Sequence, residues 1–359
     1  MTRLKPKNLV IRAGKTAHLQ LLETGFDPDL FSTLVGASGG PKWLVLSQLD
    51  RVLVERFVCP RSRPLDVIGS SIGSFRHACL AQSDPHEAIK RFEQAYIGQV
   101  YERRPTAREV SVQSERILDV LLGEKGTGEV VHHPAIRSHI IAARLNARLA
   151  RRRMGLPFAL GIAALGNLGT RRSLGWLFDR AHFVSGNSEP EIHFADHKTH
   201  IITLNERNLA PAILASGSIP FVMEGVDSID GAPDGRYLDG GLIDYHFDFE
   251  FKTRPGLILY PHFFSHIIPG WLDKNLPWRR VSGEVLDRVV LIAPSDEFVR
   301  GLPGGRVPDR SDFETQSTDE RLRNWWAIVD ACRALADEFD ELIESGDFAS
   351  AIEPFELPG

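Results

Sequence analysis

This sequence has few cysteines, no long apolar run and no strong excess of charge of either sign. Its three cysteines, Cys59, Cys79 and Cys332, are widely spaced and form no CxxC pair, which argues against a disulfide framework and a structural zinc site. Cys79 and Cys332 lie in apolar helical patterns, so we expect both to be buried thiols. The formal net charge of −5 provides no overall positive field, and we therefore expect no nucleic-acid partner.

No segment reaches the roughly 18 uncharged apolar residues that a membrane-spanning helix needs. The nearest approach is Leu156–Gly169, bounded by arginines at 151–153 and 171–172. Its length disfavours a membrane span, and both an interfacial segment and a buried helix fit the pattern.

Signals for secretion and for metal binding are also missing. The first thirty residues are mixed and polar, with no apolar run followed by a small-residue cleavage site, so we expect a cytoplasmic protein. The acids Asp244, Asp248 and Asp296 show no metal-ligand spacing. We therefore expect neither a catalytic metal nor a cofactor.

Short β-rich runs alternate with helical patterns along the chain, which is typical of parallel strands joined by crossover helices. The sequence therefore predicts an α/β fold with a mostly parallel central sheet. The predicted strands cover residues 31–35, 65–68, 139–143, 200–204, 256–260 and 288–293. The predicted helices include residues 41–57, residues 72–82 and a C-terminal helix that opens with a capping box at 317–320.

A Gly-x-Ser-x-Gly pattern, Gly69-Ser70-Ser71-Ile72-Gly73, lies between a predicted strand and a predicted helix. A nucleophile elbow occupies such a position, where a strained turn exposes the serine hydroxyl and flanking glycines keep side chains away. The N-terminus of the following helix favours developing negative charge. Ser71 is therefore a candidate nucleophile. The alternative is a tight turn in which the serine only caps the helix.

A second glycine-rich turn, residues 36–43, also follows a strand and precedes a helix. Gly39 and Gly40 can turn their backbone amides toward a site without obstruction, and such amides can hold the oxyanion formed in acyl transfer. Lys42 adds positive charge to this turn unless its ammonium is solvated.

A phosphate-binding loop is the competing interpretation of residues 36–42, and it predicts a nucleotide hydrolase. Pro41 stands where the second glycine of that loop belongs, and proline removes an amide donor. Trp43 stands where the magnesium-ligating hydroxyl belongs. The oxyanion interpretation fits this turn better.

The segment Tyr237-Leu238-Asp239-Gly240-Gly241 places a carboxylate at the end of an apolar run. A serine hydroxyl needs a base within hydrogen-bond reach, and a carboxylate can serve. An aspartate with the ordinary pKa of about 3.9 is a weak base. We therefore expect either a dry pocket that raises its pKa or an oxyanion hole that lowers the demand on it. The alternative is an ordinary Asp-Gly turn.

Taken in this order, the glycine-rich turn, the serine elbow and the later Asp-Gly-Gly resemble the patatin-like phospholipase family. The run at 215–221, Ala-Ser-Gly-Ser-Ile-Pro-Phe, resembles the Ala-Ser-x-x-x-Pro segment of that family. The similarity covers roughly residues 33–244. The family's Asp-Gly-Gly-Gly opening is replaced here by Ala-Ser-Gly-Gly at 37–40.

By position, the resemblance implies a catalytic dyad of Ser71 and Asp239 and an oxyanion loop of Gly39, Gly40 and Lys42, with Gly69 and Gly73 as the elbow glycines. It implies a serine acyl hydrolase (a lipase, phospholipase or esterase) that cleaves fatty-acyl esters through an acyl-enzyme. The expected partners are a fatty-acyl ester or phospholipid substrate and, peripherally, a membrane surface.

The resemblance also implies a three-layer α/β/α fold with the active site at the carboxyl ends of the strands. Residues 1–300 are then one patatin-like α/β hydrolase domain with a helical insertion around 84–190. Residues 301–359 are expected to form a linker and a C-terminal helix that docks on the same domain. Residues 156–169 remain open as lid, acyl channel, membrane contact or core.

Other functions stay open at this point. A non-catalytic lipid-binding protein could keep the same fold, and an acyltransferase would pass the acyl group to an alcohol instead of water. A Ser-His-Asp hydrolase would need a histidine after Asp239, such as His246 or His262. The resemblance implies that no histidine is required. We expect His77 to be structural and most other histidines to be surface or capping residues.

Overall fold

A computed structural model of the chain describes residues 6–146, 156–186, 192–274, 276, 278, 279, 281 and 284–355. At its centre is an 11-stranded mixed sheet. The strands, in chain order, are β1 (Leu9–Ala13), β2 (Phe31–Gly36), β3 (Leu65–Ser70), β4 (Ile136–Leu145), β5 (Phe178–Val184), β6 (Thr199–Thr203), β7 (Val226–Asp227), β8 (Arg236–Asp239), β9 (Leu257–Pro261), β10 (Val289–Pro294) and β11 (Ile352–Pro354).

Five neighbouring strands, in the order β10, β9, β2, β3 and β4, run parallel at the centre of the sheet. Every residue of β2, β3, β9 and β10 is buried, as expected for strands that helices cover on both faces. Antiparallel neighbours flank this centre, with β1 beside β10 and with β5 and β8 beside β4. The predicted three-layer α/β/α fold with a mostly parallel sheet is confirmed.

Helices pack on the sheet around one large apolar core, to which buried residues from Leu9 to Ile352 contribute. They are α1 (Lys15–Thr24), α2 (Ser47–Leu53), α3 (Ile72–Leu80), α4 (Pro85–Ile97), α5 (Ala107–Leu122), α6 (Gly126–Val131), α7 (Leu156–Gly169), α8 (Leu209–Ser216), α9 (Asp296–Gly301), α10 (Asp312–Thr315), α11 (Thr318–Ala331) and α12 (Arg333–Glu344). Cys79 and Cys332 are both buried, as predicted.

Two strands share one edge of β4, and this arrangement positions the site. β3 pairs with the first part of β4, so that Ser70 lies opposite Ile141. β8 pairs with the next part of the same edge, and Asp239 lies opposite Ala142. The ends of β3 and β8 therefore meet beside adjacent residues of β4.

The six predicted strands are all present, with bounds that differ by up to three residues. The predicted helix at 41–57 is formed by a 3₁₀ segment (Gly40–Leu46), by α2 and by a π-helical turn (Val54–Val58). Sequence analysis did not identify β1, β5, β7, β8 or β11. Most of these strands are short, and every residue of β5 is buried, so none shows a clear alternation of apolar and polar residues.

The segment around 84–190, expected as a helical insertion, is helical at α4, α5, α6 and α7, and it also contributes β4 and β5 to the central sheet. These two strands belong to the core and not to an insertion, because nearly all of β4 and all of β5 are buried. The arginines at 151–153 lie outside the described residues.

The C-terminal part contains more structure than a linker and one helix. Ser317 caps α11 by accepting from the Glu320 amide, as predicted. The single predicted helix is divided at Cys332 into α11 and α12, and the chain then adds β11 beside β1. The segment expected as a linker reaches the candidate site described below.

Candidate active site

Ser71 occupies a strained turn between β3 and α3. Its backbone angles are φ 55° and ψ −127°, a conformation that residues other than glycine rarely adopt. Although the residue is only 5% exposed, it lines two cavities, so a substrate can reach it. The Gly-x-Ser-x-Gly pattern therefore forms the strand–turn–helix elbow that the sequence predicts.

Glycines allow this turn because backbone segments cross at very short distances. A Cβ on Gly73 would lie 2.1 Å from the carbonyl oxygen of Gly36, which ends β2. A Cβ on Gly69 would lie 2.6 Å from the carbonyl carbon of Gly73. Any side chain at these positions would push α3 away from the sheet, because atoms cannot approach so closely. The glycines therefore hold Ser71 at the carboxyl ends of the strands.

Asp239 lies beside Ser71, at the end of β8. Its Oδ2 accepts a 2.7 Å hydrogen bond from the Ser71 hydroxyl, and its Oδ1 accepts one of 2.7 Å from the Gly241 amide. Its own amide donates to the Ser218 carbonyl at 2.8 Å. The two residues are 168 positions apart in the chain, and the meeting of β3 and β8 along β4 brings them together.

Burial changes the acidity of this carboxyl. It raises the pKa of Asp239 from an ordinary 3.8 to about 6, although hydrogen bonds from Ser71 and Gly241 oppose the shift. The charges of Arg310 and Lys274 oppose it as well. Asp239 is therefore a stronger base than a solvated aspartate, yet it is mostly ionised at neutral pH.

Ser216 supports the elbow from the other side. Its hydroxyl accepts a 2.9 Å hydrogen bond from the Ser71 amide and donates one of 2.6 Å to the Ile141 carbonyl. It also lies 3.0 Å from the Ser74 hydroxyl. Sequence analysis noted the segment around Ser216 only as a family-like motif and gave this residue no role.

The glycine-rich turn faces the dyad across a small cleft. Gly39 and Gly40 line this cleft together with Ser71 and Asp239. Among the described residues, neither glycine amide donates a hydrogen bond to a protein acceptor, so both are available to a substrate. The Ser38 amide is not available, since it donates to the Tyr245 carbonyl at 2.8 Å.

A model of the patatin-like phospholipase family matches residues 58–246, which is more than half of the 359-residue chain and includes both Ser71 and Asp239. The chain belongs to the patatin-like phospholipase family. At the level of the family, it is a lipid acyl hydrolase.

Several solved structures are similar to this patatin-like chain, among them VipD and the ExoU–SpcU complex. VipD from Legionella pneumophila is 14% identical, with 96% of this chain and 72% of VipD covered and a TM-score of 0.39. A chain of the heterodimeric ExoU–SpcU complex from the Pseudomonas aeruginosa type III secretion system is 14% identical. The match covers 88% of this chain and 52% of that chain, with a TM-score of 0.30. No curated protein matches the chain at a significant level. The family assignment therefore depends on the family match alone.

Lys42 does not face the cleft of this patatin-like protein. Its ammonium forms an ion pair with Asp309 and lines neither of the two cavities. Trp43 is buried and stacks on Phe92 with ring centroids 4.2 Å apart. With the lysine paired and Gly36 packed against α3, this turn offers no open cradle for a nucleotide phosphate.

The second cavity is large and leads away from Ser71. Its volume is about 790 Å³, within the usual range of ligand pockets. Apolar side chains from α3, α5 and the segments near 220 and 313 contribute to its wall, among them Phe75, Val110, Ile117, Met223 and Phe313. These side chains offer a surface for a hydrocarbon chain, and the arginines Arg103, Arg104 and Arg321 line other parts of the same cavity.

Arg310 lines both the cleft and the large cavity. A Cβ on Gly40 would lie 3.5 Å from its Nε, which places the guanidinium beside the glycine-rich turn. Sequence analysis assigned this region to a linker and missed the residue. No local pattern surrounds Arg310 that could have identified it.

Helix α7, the apolar segment left open by the sequence, lines neither cavity. Leu160 and Ala163 are buried in a second apolar cluster beside β8. Leu165 and Leu168 are exposed, at 71% and 54% respectively. The helix is thus partly core and partly exposed apolar surface.

His246 and His262, the candidate histidines after Asp239, form no hydrogen bond with Ser71 or Asp239. His246 and His262 are fully buried, line neither cavity and accept hydrogen bonds from the amides of Ile268 and Phe264. Burial lowers the pKa of His262 to about 3 and that of His246 well below its ordinary value. The expectation that His262 is a surface or capping residue is wrong about the surface, because its ring packs among the aromatic rings of Tyr260 and its neighbours. His77 is a buried, neutral ring against Gly36.

Within the described ranges, no group of three or more histidine, cysteine, aspartate or glutamate side chains is arranged to hold a metal ion. In the same part of the chain, no helix has the length and apolar character needed to cross a membrane.

Proposed function

We propose that the protein hydrolyses fatty-acyl esters through a Ser71–Asp239 dyad and an acyl-enzyme intermediate. The observation that carries this proposal is the 2.7 Å hydrogen bond from Ser71 Oγ to Asp239 Oδ2, in a site that opens into a large cavity with a partly apolar wall. The strained backbone of Ser71 and the raised pKa of Asp239 support it, since both are frequent at catalytic centres.

In the first half of the reaction, Asp239 takes the hydroxyl proton of Ser71 as Oγ attacks the acyl carbonyl carbon. The resulting oxyanion accepts hydrogen bonds from the amides of Gly39 and Gly40. When the tetrahedral intermediate collapses, the bond to the alcohol oxygen breaks. The alcohol takes the proton from Asp239, and the acyl group remains as an ester on Ser71.

In the second half, Asp239 takes a proton from water, and the hydroxide adds to the acyl carbonyl. The same amides hold the second oxyanion. Collapse breaks the bond to Ser71 Oγ, which recovers its proton from Asp239, and the fatty acid leaves. One carboxylate thus acts as base and acid in each half-reaction, so no histidine is needed.

The large cavity supports an acyl chain as the group that this site accepts. Its apolar wall begins at Ile72 and Phe75, directly beside the nucleophile. Burying a methylene group in such a wall stabilises the complex by roughly 0.8 kcal/mol. We therefore expect longer acyl chains to bind more tightly than short ones.

The test is turnover of p-nitrophenyl esters, together with labelling by a fluorophosphonate probe that reacts with activated serines. We expect Ser71→Ala and Asp239→Asn each to lower kcat by at least about a thousandfold, because members of a catalytic unit are strongly interdependent. Ser71→Ala should abolish labelling, and Asp239→Asn should slow it severely.

Ser47→Ala is the matched control. Ser47 is a buried serine whose hydroxyl donates to the Leu44 carbonyl at 3.1 Å, and it lines neither cavity. This variant should keep full turnover and labelling. Full activity in either dyad variant would refute the proposal. A protein that binds lipid but never reacts with the probe would instead be a non-catalytic lipid-binding member of the family.

A further inference from the structure

The backbone that carries Arg310 is anchored beside the two cavities. The Asp309 amide donates to Asp312 Oδ2 at 2.9 Å, and the Phe313 amide donates to the Arg310 carbonyl at 3.2 Å. Asp312 is in turn anchored by the indole Nε1 of the buried Trp325, at 2.9 Å. This anchored turn presents the Arg310 side chain at the junction of cleft and cavity.

The other arginines of the cavity already have partners. Arg103 pairs with Glu109 at 3.3 Å, and Arg104 lies 4.0 Å from Glu314. Arg321 donates to the carbonyls of Ile97 and Gln99. Within the described part of the chain, the guanidinium of Arg310 has neither a carboxylate partner nor a hydrogen-bond acceptor.

Asp309 separates the roles of two neighbouring cations. By pairing with Lys42, it neutralises the basic residue that the family resemblance assigns to the oxyanion loop. Among the described residues that line the cleft, Arg310 is then the one with a cationic side chain. A guanidinium suits this position because its planar set of donors can bind two oxygens of a phosphate or carboxylate at once.

We propose that Arg310 binds a negatively charged group, a phosphate or carboxylate, that the ester substrate carries close to its scissile bond. The proposal rests on the proposed function, since it assigns Arg310 the recognition of substrate beside the Ser71–Asp239 dyad. The proximity of Arg310 to Gly40 fixes the location, because the anionic group then lies beside the amides that hold the oxyanion. Arg310 is thus a specificity-determining residue.

The kinetic test uses two esters that differ only in the phosphate group, a monoacylglycerol phosphate and the monoacylglycerol with the same acyl chain. We expect Arg310→Gln to lower kcat/KM for the phosphate ester by about tenfold to a hundredfold, as for loss of a charged hydrogen bond. The neutral ester should change by no more than about threefold. Arg310→Lys should recover part of the loss, because it keeps the charge but not the paired donors.

The neutral ester separates recognition from an indirect effect on the base. Arg310 lowers the pKa of Asp239, so its removal raises that pKa and affects both esters alike. An equal loss on both esters would mean that Arg310 acts through Asp239, and no loss on the phosphate ester would mean that it binds no anion. Either result overturns the proposal. Arg300 is an exposed arginine that lines neither cavity, so Arg300→Gln should match wild type on both esters.

A binding measurement separates anion recognition by Arg310 from catalysis. In the Ser71→Ala background, calorimetry should show dodecyl phosphate binding about tenfold to a hundredfold more weakly after Arg310→Gln. If the fluorophosphonate probe fails to label Ser71 in the otherwise unmodified protein, the proposed function fails, yet this measurement still decides the role of Arg310. Inorganic phosphate should bind far more weakly than dodecyl phosphate. Equal binding of the two would identify a free-phosphate site and refute substrate recognition.

Discussion

The elbow and the large cavity meet at Ser71, yet they are built in different ways. The elbow is held by backbone contacts, namely the glycine crossing under α3 and the hydrogen bonds of the Gly241 and Ser71 amides. The cavity is formed mainly by side chains from four separate segments, residues 71–75, 96–117, 217–223 and 310–321.

This difference indicates which part of the site can change without loss of the other. A Cβ added at Gly73 would lie 2.1 Å from a backbone oxygen, so this crossing has no room for a side chain, and the geometry of the elbow is fixed by its glycines. The cavity wall contains partly exposed side chains such as Val110 and Val222, which can be exchanged without moving the sheet. Substrate preference should therefore be easier to alter than turnover.

The largest effect should come from Gly73→Ala. The added methyl group would lie 2.1 Å from the Gly36 carbonyl oxygen, so α3 and β2 must separate. We expect the free energy of unfolding to fall by more than about 3 kcal/mol and labelling of Ser71 to be lost. Chemical denaturation and the fluorophosphonate probe measure the two effects.

Gly161→Ala is the control for that substitution. Gly161 lies in α7 with nothing within 4 Å of an added Cβ, so alanine should leave stability unchanged or raise it by about 0.5–1 kcal/mol. A Gly73→Ala protein that unfolds like wild type and still labels Ser71 would show that the elbow tolerates side chains, and the contrast with the cavity would disappear.

A smaller and more selective effect should follow from Val110→Trp. Val110 projects from α5 into the large cavity, and an indole there would occupy space needed by a long acyl chain. We expect kcat/KM for a long-chain p-nitrophenyl ester to fall about tenfold to a hundredfold, with the acetate ester nearly unchanged. The ratio of the two values is the measurement.

Val112→Trp is the matched control, since Val112 is an exposed residue of the same helix and does not line the cavity. It should leave the chain-length preference as in wild type. If Val110→Trp lowered activity equally on short and long esters, the cavity would not be the acyl site.

The dyad could be predicted from the sequence because each of its parts is a local pattern. A strained serine turn requires glycines at 69 and 73 whatever the rest of the chain does, and an Asp-Gly-Gly turn fixes Asp239 in the same way. That the two side chains meet depends on β8, a short strand that sequence analysis did not identify. Their proximity was inferred from family resemblance and not from the residues.

The remaining parts of the site depend on tertiary contacts that no local pattern encodes. Lys42 could be placed on the glycine-rich turn, but its partner Asp309 is 267 residues away. Arg310 follows in the same glycine- and proline-rich segment, which has the composition of a linker. The buried fraction of α7 was equally hidden, because an apolar helix gives the same sequence pattern in a core and on an exposed surface.

The smallest expected effect is the pH dependence that Asp239 gives to activity and stability. Because Asp239 must be ionised to act as a base, kcat/KM should be half-maximal near pH 6, the value of its raised pKa, and constant above about pH 7.

The stability of the fold should change with pH in the opposite direction. The pKa is higher in the folded state than in the unfolded chain, so wild type should gain stability relative to Asp239→Asn as the pH falls from above 6 toward 4. Thermal melting of both proteins from pH 4 to pH 8 measures this gain, and a constant difference in Tm would mean that Asp239 is not the buried base. Short and long esters should share one pH midpoint, because both depend on the same carboxylate of Asp239 while the cavity contacts only the acyl chain.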